Sequence, residues 1–229
     1  ERRIHFDFLP KLATPNDSVL VTSVDKLCTI QTTKSSVYDS TILWIDVAKE
    51  LIPSINGIQL SKAYQLSPFD ISLHDTIHIV IQYDKHYNQE IGLGLYYFDL
   101  NEKLWTYIPT RNNWNENYLT GYLSSLELVT IIQDNDPPKI INSFPAHGGY
   151  YDKKDVMNIT ASFRENLSGI EPDEQFLKMF IDSTKLISAY QPVKKQLSSK
   201  LRSLLSEGEH ELLILVEDRA GNQTKKTIK

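Results

Sequence analysis

A chain of 229 residues that is 41% hydrophobic, with ten prolines, nine glycines and twelve tyrosines, has the make-up of one large or two ordinary folded domains, and general disorder is excluded. A net charge of −5, with no basic stripe interleaved with aromatics, removes nucleic acid from the expected partners. There is no run of about 18 apolar residues, so no membrane span is expected, and the single Cys28 cannot close an internal disulfide.

Every strongly patterned stretch repeats with a period of two, the signature of strands that turn one face to a core. Residues 19–24 form the first β-branched run. In Lys26-Leu27-Cys28-Thr29-Ile30, Cys28 holds an alternating position suited to a small buried residue. Residues 40–47 form another run, and Ala48-Lys49-Glu50-Leu51 reads as one helical turn. Over 76–83, Ile77, Ile79, Ile81 and Tyr83 share one face, with His78 and Gln82 on the other. The run 91–98 puts Leu93, Leu95 and Tyr97 on one side. It ends in the polar loop Asp99-Leu100-Asn101-Glu102-Lys103, from which 104–108 returns as a hairpin partner. A strand over 126–132 completes the first half.

The clearest punctuation is Gln133-Asp134-Asn135-Asp136-Pro137-Pro138. Paired prolines forbid ladder hydrogen bonds and bias the preceding residue toward an extended conformation, so a short, stiff linker is expected. A cut after Asp136 leaves 10 basic and 17 acidic residues before it and 14 and 12 after it, so the halves differ in sign. Beyond the linker, 156–163 alternates as a half-buried strand. Runs 176–181 and 185–187 flank Asp182-Ser183-Thr184, which reads as a hairpin turn. Over 193–206, Leu197, Leu201, Leu204 and Leu205 have nearly helical spacing, which allows a short amphipathic helix. An apolar run at 211–216 suits a central strand, and Gly221-Asn222 turns the chain into a lysine-rich final strand of the kind that protects a sheet edge. The expected fold is all-β: two tandem β-sandwich domains, 1–135 and 136–229.

Three patterns in the second half carry a resemblance. Asp136-Pro137-Pro138-Lys139-Ile140 opens it. Arg164-Glu165-Asn166-Leu167-Ser168-Gly169-Ile170 matches an Asp-x-x-Ser-Gly-Ile loop, with Arg164-Glu165 where an Asp is usual. Gly208-Glu209-His210, an apolar strand and Asp218-Arg219-Ala220-Gly221-Asn222 close it. Together they resemble the immunoglobulin-like domains strung along large bacterial surface and secreted proteins. In the first half, Ala63-Tyr64-Gln65-Leu66-Ser67-Pro68, Leu95-Tyr96-Tyr97-Phe98-Asp99 and Trp105-Thr106-Tyr107-Ile108-Pro109 resemble a ZU-type-related sandwich. That pairing implies an extracellular, periplasmic or cell-surface location. It also implies an accessory part of such proteins, including the C-terminal regions of peptidoglycan-cutting metallopeptidases. The opening Glu1-Arg2-Arg3-Ile4-His5 lacks a signal-peptide cleavage pattern and reads as a processing boundary, with room for a signal or catalytic domain upstream.

Candidate chemistry is sparse. His5, His74, His78, His86, His147 and His210 form no metal-ligand pair. His74 and His78, four apart on one strand, are separated by roughly 13 Å. Neither a Gly-x-Ser-x-Gly elbow nor a phosphate-cradling loop is present. Catalytic residues and cofactors are therefore not expected. One ion site is open: Asp134-Asn135-Asp136 loosely resembles the linker of cadherin-like repeats, and Asp134, Asp136, Glu165 and Asp218 offer oxygens to calcium, although turns before a diproline use the same residues. For binding, Trp114, Tyr118 and Tyr122 are the aromatic candidates, Trp114 lying in the polar loop 111–117. The expected function is that of non-catalytic structural or spacer modules that position a neighbouring domain of the same polypeptide. The alternative is an adhesin-like module recognising a cell-wall glycan or a surface protein.

Overall fold

The period-two runs become strands because alternate side chains reach a core lying between two sheets. The computed structural model describes residues 8–48, 56–69, 71–87 and 92–229. The chain divides between Asp134 and Asn135 into two compact units, each with its own hydrophobic core. Among the described residues no helix is long and apolar enough to cross a membrane.

In the first unit the strands begin with β1 (Lys11–Ala13), β2 (Leu20–Thr22), β3 (Cys28–Gln31), β4 (Thr41–Val47), β5 (Ile58–Gln59) and β6 (Tyr64–Ser67). They continue with β7 (Ser72–Gln82), β8 (Leu93–Asp99), β9 (Leu104–Ile108), β10 (Arg111–Asn113), β11 (Tyr118–Ser125) and β12 (Leu128–Gln133). One sheet has the order β1-β4-β6-β12-β8-β9, with β5 also pairing with β12. The other has the order β10-β11-β7-β3-β2. Leu43, Ile45, Tyr64, Leu66, Val129 and Ile131 from the first sheet meet Cys28, Ile30, Ile77, Ile79, Ile81 and Leu119 from the second, all of them buried. Cys28 is thus part of the core, and burial pushes its thiol well above the ordinary range. The expected helical turn at 48–51 falls on residues that, apart from Ala48, lie outside those described.

Strand β8 departs from simple alternation. Leu93 and Leu95 face the core as expected, yet Tyr96 on the opposite side is also fully buried. The reason is cross-strand pairing: Tyr96 lies opposite Tyr107 and Phe98 opposite Trp105, with ring centroids 5.4 and 5.3 Å apart, so these rings shield one another on the outer side.

The second unit contains β13 (Lys139–Phe144), β14 (Asn158–Arg164), β15 (Leu177–Ile181), β16 (Thr184–Lys185), β17 (Ser188–Gln191), β18 (Gln196–Lys200), β19 (Leu212–Glu217) and β20 (Gln223–Ile228). Sheet β13-β14-β18-β17 packs on sheet β16-β15-β19-β20. Ile159, Ala161, Phe163 and Leu197 from one meet Leu177, Met179, Ile214 and Val216 from the other. Asp182 and Ser183 form the two-residue loop between β15 and β16. Both have positive φ, 47° and 69°, the hand that matches the twist of the flanking strands.

The helix allowed over 193–206 does not form; strand β18 occupies its centre. Leu197, Ser199 and Leu201 are all buried, a period-two set whose middle member is polar and so escapes a count of leucines. The Ser199 hydroxyl is satisfied by donating to the Ile187 carbonyl at 2.7 Å. Pairing with β14 on one side and β17 on the other gives the backbone partners over 196–199, whereas a short isolated helix is marginal. Leu204, outside the strand, is exposed.

Gly121 lies where the two sheets of the first unit pack closely. A Cβ there would lie 3.0 Å from Ile108 Cγ2 and 3.1 Å from the Pro109 carbonyl oxygen. Gly121→Ala should therefore lower stability by about 1–3 kcal/mol through overpacking, and Phe163→Ala should lower it by about 3–5 kcal/mol through a cavity in the second core. Denaturant unfolding of the two variants checks both values.

Candidate functional site

Alternation along β11 decides where the aromatic candidates go. Leu119, Gly121 and Leu123 are buried between the sheets, so Tyr118, Thr120 and Tyr122 point outward. Tyr122 is 66% exposed, and its ring lies 5.2 Å from that of His78, its direct cross-strand neighbour on β7. Tyr118 is half-buried, its hydroxyl accepting a hydrogen bond from Asn113 Nδ2 at 2.7 Å. The fold brings Tyr118 and Tyr122 to one face of one strand. Trp114, nearly half exposed, belongs instead to the turn joining β10 to β11. Trp105 is buried, and Tyr107 is half-buried against Tyr96.

Of the acidic candidates, Glu165 and Asp218 are held by their own loops. Asp134 is buried at the end of the first unit, where its amide donates to the Gly92 carbonyl at 2.7 Å. Asp136 is exposed at the start of the second unit. The Glu165 carboxylate accepts from the Leu167 amide at 2.7 Å and from the Gly169 amide, closing the loop after β14. Asp218, fully buried, accepts from the amides of Ala220 and Asn222 at 2.9 and 2.8 Å and from Asn222 Nδ2 at 3.0 Å. This is an Asx-braced turn in which Gly221 takes a φ of +91°. Arg219 then fastens the two loops together. Its amide donates to the Gly169 carbonyl at 3.0 Å and its Nε to Glu171 at 2.8 Å. Among the described residues, no group of three or more His, Cys, Asp or Glu side chains is placed to hold a metal ion.

Of the histidines, His5 lies outside the described residues. His74 Nδ1 contacts the Ser35 carbonyl at 3.0 Å, and His147 accepts from the Lys229 amide at 3.2 Å. His210 sits on a cleft of about 700 Å³ at one end of the second unit, with Ile159 and Leu212 among its apolar lining. Its Nδ1 is 2.5 Å from Asp182 Oδ2, and its Nε2 is 3.2 Å from the Ser206 carbonyl and 3.5 Å from the Ser206 hydroxyl. Serine, histidine and aspartate in this order invite comparison with a nucleophile, its base and an orienting acid. Nε2 lies nearer to the Ser206 carbonyl than to its hydroxyl, so the protonated imidazole donates from both nitrogens, to Asp182 and to that carbonyl. The pair ties the β15–β16 turn to the segment before β19, where the Glu211 amide also donates to Asp182 at 2.9 Å.

The partnership of His78 with Tyr122 and that of His210 with Asp182 were not legible in the sequence. Each depends on which strands are neighbours: the sequence marked Tyr122 as an aromatic candidate, Asp182 as a turn residue and His210 through a resemblance, but not which residue each would meet. No family model matches the chain, and no curated protein matches it in sequence.

The hydrogen bond to Asp182, followed by that to the Ser206 carbonyl, raises the His210 imidazole above its ordinary 6.5. For Asp182, burial favours the neutral acid, but the bonds from Glu211 and His210 outweigh it and hold the carboxyl below its ordinary 3.8. The histidine's contribution to stability is complete below 6.5 and is lost as pH rises through the raised value. The aspartate's is complete above 3.8 and is lost as pH falls through the lowered one. Melting temperatures of the parent chain and of His210→Asn should therefore differ most between pH 3.8 and 6.5 and converge at alkaline pH. A difference that does not vary with pH would show that the pair carries no charge-dependent stability.

Proposed function

We propose that the chain is a pair of non-catalytic structural modules of a bacterial secreted or cell-surface protein, serving to position a neighbouring domain of the same polypeptide. The observation that carries this reading is the path of the chain through the second unit. At one end, Thr224 Oγ1 donates to the Pro138 carbonyl at 2.6 Å, so the start of β20 lies beside the point where the chain enters. At the other end, the Gly148 amide donates to the Lys229 carbonyl at 2.6 Å. Pro138 and Lys229 are thus separated by the length of β20, on the order of 17 Å. A module whose entry and last strand end lie at opposite ends holds those ends apart, as a spacer requires.

The immunoglobulin-like reading draws support from strand order. Labelled A to G in sequence, with β16 as an additional edge strand, the second unit sets A-B-E-D against C-F-G, the arrangement of immunoglobulin constant-type sandwiches. Two residues of the family's patterns, His210 and Asp218, brace loops, and Glu165, standing where an Asp is usual, does the same. A peptidoglycan-cutting metallopeptidase is one neighbouring domain that the resemblance implies.

The location is testable in the bacterium that makes the protein. Protease added to cells whose cytoplasmic membrane is intact, with any outer membrane permeabilised, should degrade the chain as followed by antibody. Degradation only after the cytosol is released would refute a secreted or surface role.

A further inference from the structure

Register places residues from distant parts of the first unit in rows across the outward face of its β10-β11-β7-β3-β2 sheet. Tyr122 lies opposite His78, and His78 opposite Gln31. The next row runs from Thr120 through Val80 to Thr29, and Tyr118 lies opposite Gln82. The composition of this face is unusual for the unit that carries it. The first 136 residues hold 17 acidic side chains against 10 basic ones. Yet the outward positions of the paired rows carry no carboxylate and no lysine; Arg111 at the β10 edge and His78 are the ionisable groups besides the tyrosines.

What remains is the exposed ring of Tyr122 and the half-buried ring of Tyr118 set among uncharged hydrogen-bonding groups. Two aliphatic side chains lie with them, the exposed Leu20 beside Gln31 and the half-buried Val80 between Thr120 and Thr29. Tyr122 and Gln31 are exposed, as is Gln82, while Tyr118, His78 and Thr120 are partly so. A pyranose ring has a complementary make-up, an apolar C–H face with a rim of hydroxyls, and aromatic rings with a wet polar tip suit such ligands. The core of a protein interface is more apolar and more continuous than this face, where amides and hydroxyls interrupt the rings. A polyanion would require a basic stripe, and a polycation would require carboxylates. Tyr118 and Tyr122 are spaced by roughly 13 Å along β11, so the face suits a ligand that is extended.

We infer that this face is a binding site for a neutral, extended glycan, with Tyr122 and Tyr118 as stacking surfaces and Gln31, Gln82 and Thr120 as partners for sugar hydroxyls. The site gives the first unit a ligand of its own and does not depend on the spacer reading, which survives if the site fails.

Native electrophoresis of the full 229-residue chain through gels containing soluble β-glucan, xylan or mannan tests it, with heparin gels as the polyanion control. Retardation is expected in at least one neutral gel, and it should persist at high salt. Tyr122→Ala and Gln31→Ala, both at exposed positions, should each weaken it, the tyrosine change by about tenfold or more. Tyr150→Ala, at a fully exposed ring of the second unit, should leave it unchanged. Unaltered melting temperatures would show that the variants are folded. Migration unaffected by all the neutral glycans, retardation by heparin alone, or equal retardation of parent and Tyr122→Ala would each overturn the assignment.

Discussion

A two-sheet sandwich rests on register. Each strand must pair its backbone groups with its neighbours while sending every second side chain into the same interior, and a slip of one residue would turn the whole apolar set outward. In the first unit this constraint places Ile77, Ile79 and Ile81 of β7 opposite Leu123, Gly121 and Leu119 of β11. It fixes the outer face by the same act. His78 meets Tyr122 because Ile77 and Ile79 are inside, so the interior and the proposed glycan surface are two sides of one pairing. Gly121 is one place where the constraint is tight, since a methyl group there would meet a backbone carbonyl and two packed aliphatic side chains.

A second device recurs in the second unit: carboxylates that hold turns. Glu165 takes two amides of its loop, Asp182 takes the Glu211 amide and the His210 ring, and Asp218 takes two amides and an amide side chain. Charge-assisted hydrogen bonds to backbone N–H groups are stronger than neutral ones and satisfy donors that a tight turn leaves unpaired. Glu165 and Asp218, two of the four acidic residues that offer oxygens to an ion in the linear sequence, thus have a local role in bracing turns. Arg219 extends the scheme from within a loop to between loops, by pairing with Glu171 while its own amide binds the Gly169 carbonyl.

Carboxylates hold turns in the first unit as well, where Asp25 accepts from the Leu27 amide and Asp99 from the amides of Asn101 and Glu102. In the second, bracing of this kind goes with the proposed spacer role. In the first, polarity is spread over an open sheet face where the hydroxyl of Thr120 and the amides of Gln31 and Gln82 meet solvent. Bracing suits a spacer, and an open face suits a ligand.

The sequence by itself determined the all-β class, because period-two alternation in 76–83 and 156–163 admits no other use of those residues, and the diproline at 137–138 forbids a strand running through it. It also marked the turn at 182–183 and the brace at 218–222, whose geometry is local and written in Asp, Ser, Gly and Asn. Tertiary structure decided what depends on partners. The leucines of 197–205 are compatible with a helix or a strand, and the choice was made by β14 and β17, which supply hydrogen bonds on both sides. Trp105 and Tyr122, seventeen residues apart and equally aromatic in sequence, separate into buried and exposed only when β8 pairs with β9 and β7 with β11. Such pairings join residues far apart in the chain, and no local pattern of residue types specifies them.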